Sequence, residues 1–111
     1  ASAPEMPGLS IVASCRSAEQ VSGDFYDFFP ISRDRLGILL TDGGGNGLAT
    51  ALSIALTKGY LMHKAQAGLT PMKTLAGLLA TLGQELHTVN AEGLCYAVLD
   101  MREGWLRFAR L

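Results

Sequence analysis

Leu36-Gly37-Ile38-Leu39-Leu40-Thr41-Asp42-Gly43-Gly44-Gly45-Asn46-Gly47 is the stretch on which the fold turns. From 36 to 41 the apolar side chains fall on both faces of an extended chain, the pattern of a strand covered on two sides, and this strand is therefore expected at the centre of a sheet. The glycine cluster is expected to break the strand at Asp42. Beyond it Leu48, Ala51, Leu52, Ala55, Leu56, Gly59 and Tyr60 recur at helical spacing, predicting an amphipathic helix whose small residues let it approach the sheet closely.

Downstream, Gly68-Leu69 ends that helix and Thr70-Pro71 starts another, with threonine as N-cap and proline at the first helical position. Leu75, Leu78, Leu79, Leu82 and Leu86 form its apolar stripe, and it is expected to stop between His87 and Asn90. Residues 94–101 and 105–111 then read as an antiparallel hairpin around Arg102-Glu103-Gly104. Upstream, residues 9–15 and the aromatic-rich 21–31 read as two further strands, the second turning at residues 32–35 into the central strand. Three strands, two helices and two strands, in that order, predict an α+β fold of antiparallel sheet layers with packed helices rather than alternating βαβ units. A closing strand with no polar exit is unusual for a compact domain, and the chain is expected to be cut off before its site is complete.

Composition narrows the function. With 49% hydrophobic and 17% charged residues among 111, the chain reads as one globular unit. A formal net charge of -1, with nine scattered Lys and Arg, provides no basic field for nucleic acid. No apolar run reaches the roughly 20 residues that span a bilayer, and residues 1–4 lack the blocks of a signal peptide. Cys15 and Cys95 have no metal-clamp spacing; both read as buried strand residues, a usage that fits a cytoplasmic location.

Two carboxylates stand where a strand meets a glycine: Asp24 after Gly23, and Asp42 before Gly43. Counted outward from the 32–35 turn they are nearly equidistant, so an antiparallel hairpin brings them side by side at one end of the sheet. Hard cations such as Mg²⁺ and Mn²⁺ take carboxylate, carbonyl and water oxygens. The backbone carbonyl of Gly43 could join the two aspartates without a side chain in the way. On spacing alone the signal is weak, and paired aspartates at strand ends are more often solvated turn residues that need no ligand.

Motif context adds to this. Pro7-Gly8-Leu9, Val21-Ser22-Gly23-Asp24-Phe25-Tyr26-Asp27 and Asp42-Gly43-Gly44-Gly45-Asn46-Gly47-Leu48-Ala49 closely resemble segments of the stage II sporulation protein E-like branch of the PPM-type, metal-dependent serine/threonine protein phosphatases. Asp24 and Asp42 keep that family's interval of 18 positions. Tyr96-Ala97-Val98-Leu99-Asp100 and Gly104-Trp105-Leu106-Arg107-Phe108 are similar to its paired strands after the helices. The resemblance implies residues 1–7 as a linker and 8–111 as the N-terminal part of an αββα sandwich. It implies Asp24, Asp42 and the Gly43 carbonyl as ligands of a two-ion Mn²⁺ or Mg²⁺ site, with no further catalytic residue assigned. It also implies a phosphoserine or phosphothreonine protein substrate, typically a phosphorylated anti-sigma-factor antagonist, and an upstream sensor or receiver domain.

The family's downstream metal-binding aspartates and its A-G-H-type segment have no counterpart here, and Gly93 stands near the position where relatives carry a threonine. Two carboxylates leave two divalent ions undercompensated, so the chain is expected to bind metal weakly and to be weakly active or inactive alone. The competing reading is a non-catalytic regulatory or dimerisation domain with a degenerate phosphatase fold. A third is a homodimer paired through an open strand.

The remaining candidates have blander explanations. The glycine cluster lacks the lysine of a phosphate-binding P-loop. His63 and His87 sit near helix ends without ligand companions and are assigned no catalytic role. Asp27, an odd step from Asp24, should face the other side of the sheet as a structural acceptor. Phe25, Tyr26, Phe28 and Phe29 fit core packing better than base stacking, and Trp105 marks either core or an exposed edge.

Overall fold

The structure, a computed structural model, describes residues 3–14, 22–87 and 93–111, leaving the side chains at 22–25, 42–47, 49–50 and 84–87 undescribed. Four strands and two helices follow in the order β1 (Ser22–Pro30), β2 (Arg35–Asn46), α1 (Gly47–Ala65), α2 (Pro71–His87), β3 (Leu94–Asp100) and β4 (Trp105–Arg110). The strands form one antiparallel sheet in the order β1-β2-β3-β4. The chain is thus a small α+β domain, with β2 and β3 central as the apolar pattern requires.

Two expectations about the strands need correction. Residues 9–14 form no strand; beyond one bridge between Met6 and Leu9 they have no ladder partner among the described residues, and Val12 is 95% exposed. A strand exists only where another chain segment takes its backbone hydrogen bonds, and apolar residues alone do not provide one. Cys15 lies outside the described residues, while Cys95 is half-buried in β3. Nor does the glycine cluster break β2, which runs on to Asn46 before α1 begins at Gly47. Glycine permits an extended backbone as readily as a turn, and β1 supplies the partner.

Both helices cover one face of the sheet. Leu61 and Ala65 of α1 and Leu75 and Leu78 of α2 pack on Phe29, Leu39, Leu94, Tyr96 and Val98. The buried stripe of α1 differs from the one expected: Ser53, Thr57, Leu61 and Ala65 face inward, whereas Leu48, Leu52 and Leu56 are exposed, Leu48 at 76%. Burial of a hydroxyl is tolerable here because Thr57 Oγ1 donates to the Ser53 carbonyl at 2.9 Å, satisfying within the helix a group that would otherwise lose its hydrogen bond. Helix α2 keeps the expected cap and buries Leu75 and Leu78 with Leu82 packed beside them, but Leu79 of the expected stripe is 43% exposed and the side chain of Leu86 lies outside the described set. Thr70 Oγ1 accepts from the Lys73 N–H at 3.3 Å and the Thr70 carbonyl from the Thr74 N–H at 2.9 Å, with Gly68 at φ 70 ending the preceding turn.

The other face has no helix. Register rows Pro30/Leu36/Leu99/Leu106 and Phe28/Ile38/Ala97/Phe108 lie there, and Phe108 is 67% exposed. The aromatic cluster is therefore divided. Phe29 enters the core, whereas Tyr26 and Phe28 meet edge-to-face on the helix-free side at 5.8 Å. Phe25 has its side chain outside the described set.

Candidate functional site

The β1–β2 hairpin closes through Ile31 and Ser32, whose N–H groups donate to the Arg35 carbonyl at 3.0 and 3.3 Å. From that turn the ladder runs unbroken, and its register makes Asp24 and Asp42 direct cross-strand partners, with Gly23 opposite Gly43. Directly opposed residues have Cα atoms about 4.5–5.5 Å apart and share one face of the pleat. By parity with Tyr26, Phe28 and Leu40, that face is the helix-free one. A bulge follows at once, where Ser22 pairs with Asn46 and leaves Gly44 and Gly45 as extra residues on β2. Bulges of this kind re-aim backbone groups at the end of a ladder. The backbone thus brings the two positions together as the count from the turn predicts; their side chains lie outside the described set.

Two like charges in directly opposed positions destabilise a sheet unless a cation or a proton compensates them. The donor set is all oxygen, which suits Mg²⁺ or Mn²⁺ in kind. In number it falls short of two ions. Among the described residues no three His, Cys, Asp or Glu side chains converge to hold a metal.

Asp27 has a different task. Its Oδ1 accepts from the Phe28 N–H at 2.9 Å and its Oδ2 lies 3.5 Å from Lys58 Nζ of α1, so it pins the helix to the edge strand on the helix-covered face. His63 is exposed in the last turn of α1, and the side chain of His87 is undescribed. Trp105 is half-buried against the core.

At the opposite end of the sheet lies a constellation to which the sequence reading gave no role. Arg35 Nε donates to Asp100 Oδ2 at 2.7 Å, and Asp100 Oδ1 accepts from the Glu103 N–H at 2.8 Å. The Glu103 N–H foremost, and the Arg35 guanidinium beside it, hold the Asp100 carboxyl below its ordinary value against the opposing effect of burial. The guanidinium carbons of Arg35 and Arg107 stand 5.2 and 4.3 Å from the Trp105 ring centre. Only the alternation Trp105, Arg107 on one strand hinted at this stack; Arg35 joins it through register.

Set beside protein-family models, curated proteins and solved structures, the chain matches none of them. Among the described residues no helix is long and apolar enough to cross a membrane.

Proposed function

We propose that this chain is the N-terminal part of a PPM-type phosphatase domain and contributes Asp24, Asp42 and the Gly43 carbonyl to a divalent-metal site that hydrolyses phosphoserine or phosphothreonine on a regulatory protein. The observation that carries the proposal is the direct pairing of Asp24 with Asp42 beside a glycine bulge. The three motif segments support it, and they alone suggest the finer points: an anti-sigma-factor antagonist as substrate, an upstream sensor or receiver domain, and a cytoplasmic setting. When bound, a metal pair lowers the pKa of a shared water and clamps phosphoryl oxygens. The chain's own part is to hold two carboxylates at one strand end and to leave backbone carbonyls accessible there. The helix-free face, apolar along β2 and β3, is where we place the second sheet of an αββα sandwich.

Mn²⁺ is paramagnetic, which gives a site-specific test. In an amide NMR titration, signals from residues around Asp24 and Asp42 should broaden before all others. Broadening that starts instead at Asp27, Asp34 or Asp100, or that is spread evenly, contradicts the assignment. With two carboxylates only, the chain alone should turn over a phosphoserine peptide at a small fraction of enzymatic rates, and turnover at about 1 s⁻¹ or faster would refute that part.

A second reading, a non-catalytic regulatory or dimerisation domain, is favoured by the outward Leu48, Leu52 and Leu56 of α1. Sedimentation distinguishes it: a dimer that Leu52→Glu dissociates, together with no Mn²⁺ response, selects this reading.

A further inference from the structure

The Arg–Trp–Arg stack borders a hollow under the α1–α2 turn, away from the candidate metal end. Asp42 and Arg35 stand seven residues apart on β2, about 23 Å at the usual strand rise. The walls of the hollow are apolar, formed by Ile31, Leu69, Pro71 and Val98, while Trp105, Arg35 and Arg107 form its cationic side. Its free volume is about 70 Å³. One water needs about 10–15 Å³ by this measure, so the hollow takes a small group of a few heavy atoms, far below the roughly 300 Å³ and more of a cofactor site.

The charge there is uneven. Asp100 compensates Arg35 through Nε, the one guanidinium nitrogen that pairs with it. Arg107 is exposed and meets the Trp105 ring with no carboxylate partner among the described residues. A guanidinium over an indole face still has N–H donors to offer, and its planar fork suits bidentate capture of a carboxylate or phosphate. We infer that this hollow binds a small oxyanion, carboxylate or phosphate, carried on an apolar stem: the stem enters between Ile31, Leu69 and Val98, and the anion meets Arg107. This is independent of the metal site and stands or falls separately.

Trp105 is the sole tryptophan and reports directly on the site. The test titrates capped leucyl-glutamate and leucyl-phosphoserine dipeptides into the chain, with capped leucyl-glutamine as neutral control, and follows Trp105 emission and its indole N–H signal. The inference expects a saturable change with at least one anionic dipeptide, at least about tenfold weaker with the neutral one, and weakening with added salt. Which anion binds tells carboxylate from phosphate. Arg107→Gln should lower the affinity about tenfold, and Arg107→Lys should restore it only in part. No saturable response, equal response to the neutral dipeptide, or unchanged affinity in Arg107→Gln overturns the inference. Arg107 is exposed, so these variants should fold, and an unchanged amide spectrum checks that they do.

Discussion

Asp100 binds the two turns at one end of the sheet into a unit, because its two oxygens accept from opposite sides and the Met101 N–H donates to the Asp34 carbonyl at 2.8 Å. Its side chain is 4% exposed. With the folded carboxyl held below the ordinary 3.8, ionised Asp100 contributes stability that is complete above that value and is lost as pH falls through the lower folded one. Urea midpoints should therefore drop between pH 5 and pH 2 by more in the parent chain than in Asp100→Asn, which should be less stable at pH 7; equal drops would contradict this. Gly37 illustrates a constraint that no pattern of residue types reveals. A methyl there would stand 2.7 Å from the Tyr96 hydroxyl and 3.3 Å from the Phe29 carbonyl, and Tyr96 is fully buried, so it can give way only by repacking the core around it. Gly37→Ala should cost about 1–3 kcal/mol in chemical denaturation.

At the scale of elements, α2 was legible in the sequence because cap, proline, C-terminal limit and the inner leucines Leu75, Leu78 and Leu82 agreed, while Leu79 at the edge of the stripe faces outward. Thr70→Ala should remove about 1 kcal/mol of stability, measured by thermal melting. Helix α1 was legible as a helix but not in its orientation. Its outward and inward stripes are both weakly amphipathic, and the buried one includes Ser53 and Thr57, whose hydroxyl chemistry inside a helix no hydropathy pattern registers. Gly59 sits exposed in this helix with open space where a Cβ would go. Gly59→Ala should therefore stabilise the chain by roughly 0.5–1 kcal/mol in the same melts, by raising helix propensity. The false strand at residues 9–14 failed for the opposite reason: its residues suit a strand, but strand formation depends on a partner that composition cannot supply.

For the whole molecule, the asymmetry of the sheet is the main feature. Residues 36–40 are apolar on both faces, yet helices cover one, and the other carries Leu106 and Phe108 in the open together with the register positions of Asp24 and Asp42. The candidate site was legible because a hairpin obeys arithmetic: equal counts from a turn become opposed positions. The Arg35–Trp105–Arg107 stack was not, because only the register brings residues of β2 and β4 together across β3. The most direct measurement is calorimetric titration of Mn²⁺ into the parent chain and into Asp42→Ala at neutral pH. The account predicts weak, saturable binding that the substitution abolishes, and a parent chain that binds no Mn²⁺, or a variant that binds it equally well, would contradict it.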